Sequence, residues 1–209
     1  MKISEIWSSK EISVWKAALS KATEETGRDD SIETKMSKLN VEYIQHLPVE
    51  DFYSFLHDDY FVWKYTAKNR LASTRNSLKK YENDMNELRE IQDGLFSFDL
   101  SKTRLGLQAA GEIYGLGVAG ASGLLALLFP SYFGTVDEMV VRALLTCDEY
   151  RDDAIIKAIN PQDIKRKDAV YLIEQFKKKA HELNVLSNEY CWRPRDIDVI
   201  LWYFRDKDL

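Results

Sequence analysis

Several absences narrow the field before any motif is considered. The chain has only two cysteines, Cys147 and Cys191. That is too few for a disulfide framework or a structural zinc site, and the expectation is two reduced, buried thiols in a cytoplasmic protein. His46, His57 and His181 stand far apart without ligand spacing. The acidic segments carry no metal motif either, so neither a metal nor a cofactor is expected. No run of any length alternates apolar and polar residues, which excludes a half-buried strand. There is no repeat or low-complexity tract, and Met1-Lys2-Ile3-Ser4-Glu5 opens no signal peptide. An excess of positive charge is also missing: 29 Lys and Arg face 34 Asp and Glu, for a net charge of −5. A protein that holds nucleic acid through an overall basic surface is thereby disfavoured, although a local basic patch is not.

What is present is a folded, helical chain. Hydrophobic residues make up 45% and aromatic residues 12%, enough to build a core. Apolar residues recur at helical spacing through residues 3–25, from near Ser31 to Tyr43, from Phe52 onward, and through 71–92 as one helix or a broken pair. Further helices are predicted over 102–113, from Asp137 to about Leu145, over 163–184, and from about Ile197 to the C-terminus. Gly27-Arg28-Asp29-Asp30-Ser31 marks a break. The fold class is therefore all-α.

One stretch organises the rest. Ile113-Tyr114-Gly115-Leu116-Gly117-Val118-Ala119-Gly120-Ala121 puts two glycines around Leu116, where the backbone can turn tightly and take a positive φ. The amides that follow open a helix, and its unpaired N–H groups and dipole favour an anion such as a phosphate. From Gly120 to Phe129 every residue is small or apolar, so this helix should be buried all round, and Pro130 ends it. The uncharged stretch Ile113–Val136 has the length of a membrane span, but its glycines and proline make it an internal buried helix instead. Gly115-x-Gly117-x-x-Gly120 also spells part of a dinucleotide fingerprint, but it follows a helical pattern where that motif requires a strand. Twenty residues after Gly117 comes Asp137, in Val136-Asp137-Glu138-Met139-Val140-Val141-Arg142, where a loop delivers one carboxylate to the start of the next helix.

Together these two segments resemble the helix-hairpin-helix DNA glycosylase superfamily, which includes the 8-oxoguanine, adenine-mismatch and thymine-glycol glycosylases. That family carries Leu-Pro-Gly-Val-Gly-x-x-Thr-Ala, an apolar helix, then Val-Asp-x-x-Val-x-Arg. Gly115, Gly117, Ala121, Asp137, Val140 and Arg142 fall on its positions, over about thirty residues, with the glycine-to-aspartate spacing of the adenine-mismatch branch. Tyr114 replaces the usual proline, Gly120 the usual threonine, and Ala119 stands where bifunctional members place a catalytic lysine. The four-cysteine cluster of some members is absent.

The resemblance implies two helical lobes with a cleft between them: a middle lobe over about 52–145 and a second lobe from 1–51 plus 146–209. It also implies that Asp137 stabilises the positive charge that builds on the sugar as an N-glycosidic bond breaks. The structural alternative for Asp137 is an N-cap, a role Asp favours, and both can hold at once. Gly115, Leu116, Gly117 and Val118 would hold a DNA phosphate through backbone amides, or simply make a tight turn. With no lysine at 119, release of the base should proceed by water, without strand cleavage through a Schiff base.

Lys64, Lys68 and Arg70, beside an aromatic cluster, are the better candidates for DNA contact; the lysine run at 165–179 reads as a solvated face. Trp63, Tyr65 and Trp202 are candidates to stack on a base extruded from double-stranded DNA, although most aromatics at helical spacing are core. The leading expectation is thus a monofunctional DNA glycosylase acting on a damaged or modified base, in repair or in defence. The alternative is a non-catalytic nucleic-acid-binding or protein-interaction module on the same scaffold.

Overall fold

The computed structural model describes residues 1–24 and 30–205. The break expected at 27–31 lies largely outside them. All regular structure among the described residues is helical. The chain divides into a terminal unit, Met1–Thr26 with Pro130–Leu209, and a middle unit, Gly27–Phe129. The division therefore falls at different points from the expected 52 and 145. Residues 27–51 belong with the middle unit, and Pro130–145, Asp137 included, with the terminal one. Pro130 sets the second boundary, since it cannot extend the helix before it.

The terminal unit opens with α1 (Ile3–Ser8) and α2 (Ile12–Glu24). Ile3, Ile6, Trp7, Trp15 and Ala18 turn inward, one face of each helix, as their spacing requires.

The middle unit begins with α3 (Asp30–Ser37) and α4 (Val41–Gln45), whose N-cap Asn40 accepts from the Tyr43 amide at 3.0 Å. Next comes α5 (Val49–Ser54), with Pro48 ahead of it and Glu50 and Asp51 in its first turn, where they suit the dipole. A π-helical segment, Phe55–Tyr60, joins it to α6 (Phe61–Lys64). The wide turn lets Phe55, Leu56, Tyr60, Phe61 and Trp63 all be buried. The 71–92 region is a broken pair: α7 (Lys68–Leu78), a 3-10 turn over Lys79–Asn83, and α8 (Met85–Ser97). Asp84 starts α8 by accepting from the Asn86 amide at 3.0 Å. Then follow α9 (Thr103–Gly111) and α10 (Val118–Leu128). Residues 120–126 and 128 of α10 are buried, so its apolar circumference is enclosed by protein. Among the described residues no helix is long and apolar enough to cross a membrane.

The chain returns to the terminal unit with α11 (Glu138–Thr146), α12 (Ala154–Ala158), α13 (Arg166–Leu186) and α14 (Pro194–Phe204). Pro194 occupies the first turn of α14, the one place in a helix where its missing N–H costs nothing. Leu172, Ile173 and Phe176 of α13 and Ile197, Ile200, Leu201 and Phe204 of α14 complete the core. Each such side chain contributes on the order of 1.5–3 kcal/mol of burial. The Trp7, Trp15, Trp192 and Tyr190 rings pack edge to face in sequence, which makes Trp192 a core side chain. Of the two cysteines only Cys147 is buried; Cys191 is exposed, which corrects the expectation of two buried thiols.

Candidate functional site

The glycine turn of the middle unit is built as its sequence suggests. Helix α9 ends at Gly111, and the Leu116 amide donates to the Ile113 carbonyl at 3.0 Å. Gly115 then takes a φ of 93°, alone among the described residues in the left-handed region. Space forbids a side chain there as firmly as conformation does. A Cβ on Gly115 would lie 2.8 Å from the Thr74 carbonyl oxygen and 2.9 Å from Thr74 Cγ2. The turn is therefore pressed against α7. Gly117 is exposed and forms the N-cap of α10 in an extended conformation. Its carbonyl accepts from the Ala121 amide at 2.8 Å. The amides of Val118, Ala119 and Gly120, in the first turn, have no acceptor among the described residues.

The residues at 114 and 120 have local physical reasons. Tyr114 donates its backbone N–H to the Tyr81 hydroxyl at 3.0 Å, which a proline could not do. Its ring lies 4.7 Å from that of Tyr81, its hydroxyl donates to Glu87 at 2.9 Å, and Lys80 Nζ sits 4.7 Å above the ring. At Gly120 the room a threonine would need is filled: a Cβ would overlap the Tyr65 hydroxyl and lie 2.9 Å from Leu116 Cδ2. The Gly120 carbonyl accepts from the buried Tyr60 hydroxyl. The carbon chain of Lys64 runs along the same helix, within 3.2 and 3.3 Å of where a Cβ on Gly123 would be.

Several of the expected residues thus converge within the middle unit. Tyr65 and Lys64 lie on the first turns of α10, behind the glycine turn. Burial pushes the Tyr65 hydroxyl above its ordinary pKa, opposed by the charge of Arg70 and a hydrogen bond with Thr74. Lys68 and Arg70 are exposed on the first turn of α7. Leu116 is buried, so it can offer only its backbone. Trp63 is 4% exposed, with the Tyr60 ring 6.0 Å away. It is a core side chain and presents no open face for stacking. Arg75, further along α7, donates through Nε to the His57 carbonyl at 2.9 Å.

Asp137 and Trp202 belong to the terminal unit. Asp137 is half-buried and caps α11: one carboxylate oxygen, Oδ1, accepts from the Met139 and Val140 amides at 3.0 and 3.1 Å. The capping role is therefore real. The second oxygen, Oδ2, has no hydrogen-bond partner among the described residues. Arg142 pairs with Glu138 at 2.5 Å. Trp202 is half-buried with the Arg205 guanidinium 4.0 Å over its ring.

The lysine cluster at 177–179 is neutralised locally. Lys177 pairs with Glu174 at 3.0 Å, Lys178 with Glu149 at 3.0 Å and Lys179 with Glu182 at 2.8 Å. Glu149, Lys179 and Glu182 border a groove of about 480 Å³ that also includes Trp7, His181 and Leu186.

The contacts that local sequence patterns did not reveal are the long-range ones. Asp198, 2% exposed, accepts the Thr135 amide at 2.6 Å and an Arg195 N–H at 2.7 Å. The only signal for it was a polar residue on the inward stripe of the last helix. Comparison with known proteins gives no match for this chain, whether to a family model, a curated protein or a solved structure.

Proposed function

We propose that the protein is a DNA glycosylase that releases a damaged or modified base by hydrolysis. The observation that carries this proposal is the turn at 112–117. A left-handed Gly115 and an exposed Gly117 present the open first-turn amides of α10, the arrangement that suits a backbone phosphate. Asp137 supports it. Its Oδ1 is fixed by the α11 cap while Oδ2 is left to face a developing positive charge, so the capping bonds orient the carboxylate without consuming it. Lys68 and Arg70 supply exposed charge on α7, the helix against which the glycine turn is pressed, for neighbouring phosphates. Tyr65, closing over Gly120, is a better candidate than Trp63 to meet an extruded base.

In the proposed reaction the bond from the sugar C1′ to the base nitrogen breaks with its electron pair leaving on the base. Oδ2 of Asp137 stabilises the oxocarbenium-like sugar, and a water adds to C1′, leaving an abasic site and a free base. Ala119 offers no amine, so the water route needs no covalent step through that position. The test is a panel of duplex oligonucleotides bearing altered bases, followed by alkali. Breaks are expected only after alkali, and Asp137→Asn is expected to reduce them by about a hundredfold or more. Binding without base release on every substrate would instead support a non-catalytic module.

A further inference from the structure

We infer that Asp198 and Arg195 are positioning residues for Asp137, acting through the segment that delivers it; the inference rests on the base-release function proposed above. The segment Pro130–Val136 is tied to the first turns of α14 at three points. The Arg195 amide donates to the Pro130 carbonyl at 3.3 Å. The Thr135 amide donates to Asp198 Oδ2 at 2.6 Å. One guanidinium nitrogen of Arg195, Nη1, donates both to Asp198 Oδ1 at 2.7 Å and to the Thr135 hydroxyl at 3.1 Å.

Between these ties the chain has no slack. A Cβ on Gly134 would lie 2.7 Å from Phe176 Cδ2, 2.9 Å from the Pro194 carbonyl and 3.0 Å from Asp198 Oδ2. Phe133 and Val136 are fully buried. Only Val136 separates the tied Thr135 from Asp137, and directly after Asp137 the chain enters α11. The backbone of Asp137 is thus held from upstream by Asp198 and Arg195 and from downstream by the helix it caps.

A carboxylate only 2% exposed is expensive to desolvate, and a buried ion pair gives little stability over apolar residues of the same size. What such a pair supplies is fixed geometry. A displacement of about 1 Å in a reacting group can cost on the order of a hundredfold in rate, which is the scale on which this clamp would act. Asp196, on the same helix, provides a matched comparison. It is 3% exposed and paired with Arg193 at 2.8 Å, but its hydrogen bonds run to Arg193 and Tyr190, not to the 130–136 segment.

The experiment measures kcat and KM for base release, thermal midpoints, and exchange of the Thr135 amide in the full chain. Asp198→Asn and Arg195→Gln are expected to lower kcat roughly 10- to 100-fold with KM within about twofold. Arg195→Lys should recover part of that loss. Asp196→Asn should lower the thermal midpoint comparably and leave kcat within about twofold. Thr135→Val removes only the hydroxyl contact, should fold even where Asp198→Asn does not, and should give a smaller fall in kcat alone. The Thr135 amide should be protected in the wild type and exchange more than about tenfold faster in Asp198→Ala. Equal kcat values for Asp198→Asn and Asp196→Asn, or an unprotected Thr135 amide in the wild type, would overturn the positioning role while leaving the glycosylase proposal standing. A wild type that releases no base from any substrate removes both.

Discussion

Two glycines in the middle unit sit in opposite situations, and their substitution should have opposite signs. Gly115 combines a φ of 93° with a Thr74 carbonyl 2.8 Å from any added Cβ. Gly115→Ala is therefore expected to destabilise the protein by about 2–3 kcal/mol, adding left-handed strain to a backbone clash. Gly94 lies within α8 with nothing inside 4 Å of an added Cβ. Gly94→Ala should stabilise by about 0.5–1 kcal/mol, because the helix gains a better former and the unfolded chain loses freedom. Chemical denaturation of both variants decides the matter, and a tolerated Gly115→Ala would contradict the turn geometry. At this scale the sequence was informative where chemistry is local. The glycine turn and the Asp137 cap follow from residue type and spacing. Trp63 did not: nothing in its neighbours along the chain distinguishes a ring packed on Tyr60 from a ring open to a ligand.

At the scale of elements, α1 is held to α13 through one carboxylate. The Trp7 indole N–H donates to Glu149 Oε2 at 2.8 Å, Lys178 donates to Oε1 at 3.0 Å, and Lys179 approaches at 3.5 Å while lying 4.8 Å over the Trp7 ring. Burial pushes the Glu149 carboxyl up, but the hydrogen bonds from Trp7 and Lys178 and the two lysine charges outweigh it. The result is a pKa below the ordinary 4.5. A carboxyl lowered on folding stabilises the folded state above its unfolded pKa and ceases to do so as pH falls through its folded one. Glu149→Gln should therefore lower the thermal midpoint near neutral pH, and the gap from wild type should shrink on acidification below 4.5. A gap that stays constant or widens in acid would contradict the assigned pairing.

Helix boundaries divide along the same line of locality. Pro48, Pro130 and Pro194 mark starts and stops that a proline enforces by itself. The π-helical segment Phe55–Tyr60 and the short α12 were not legible. The first depends on packing five large side chains into one core, and the second on Asp153 accepting from the Ile155 and Ile156 amides at 2.8 and 2.9 Å.

For the whole molecule, a net charge of −5 means that any hold on DNA must come from local contacts. The candidates are Lys64, beside α10, and Lys68 and Arg70, on the helix against which the glycine turn is pressed; Lys177, Lys178 and Lys179 of α13 pair with carboxylates. Three neutralised phosphates imply a slope of about −2.7 for log affinity against log salt, so binding should weaken roughly 40-fold between 50 and 200 mM salt. Affinity independent of salt would contradict a phosphate-directed interface. The division into units was the least legible feature. The segment that carries Asp137 follows the apolar α10 directly in sequence, yet it is bound to α14 through Asp198, a partner about sixty residues away that no periodicity connects to it.

The most direct test of the central claim is mass-spectrometric detection of free base under single-turnover conditions, comparing the wild type with Asp137→Asn on the same duplex. Stoichiometric release of an intact base is expected of the wild type. The variant should lose about a hundredfold or more of that rate, with its fold and DNA affinity retained. Release at wild-type rate by a folded Asp137→Asn protein would contradict the role proposed for Asp137.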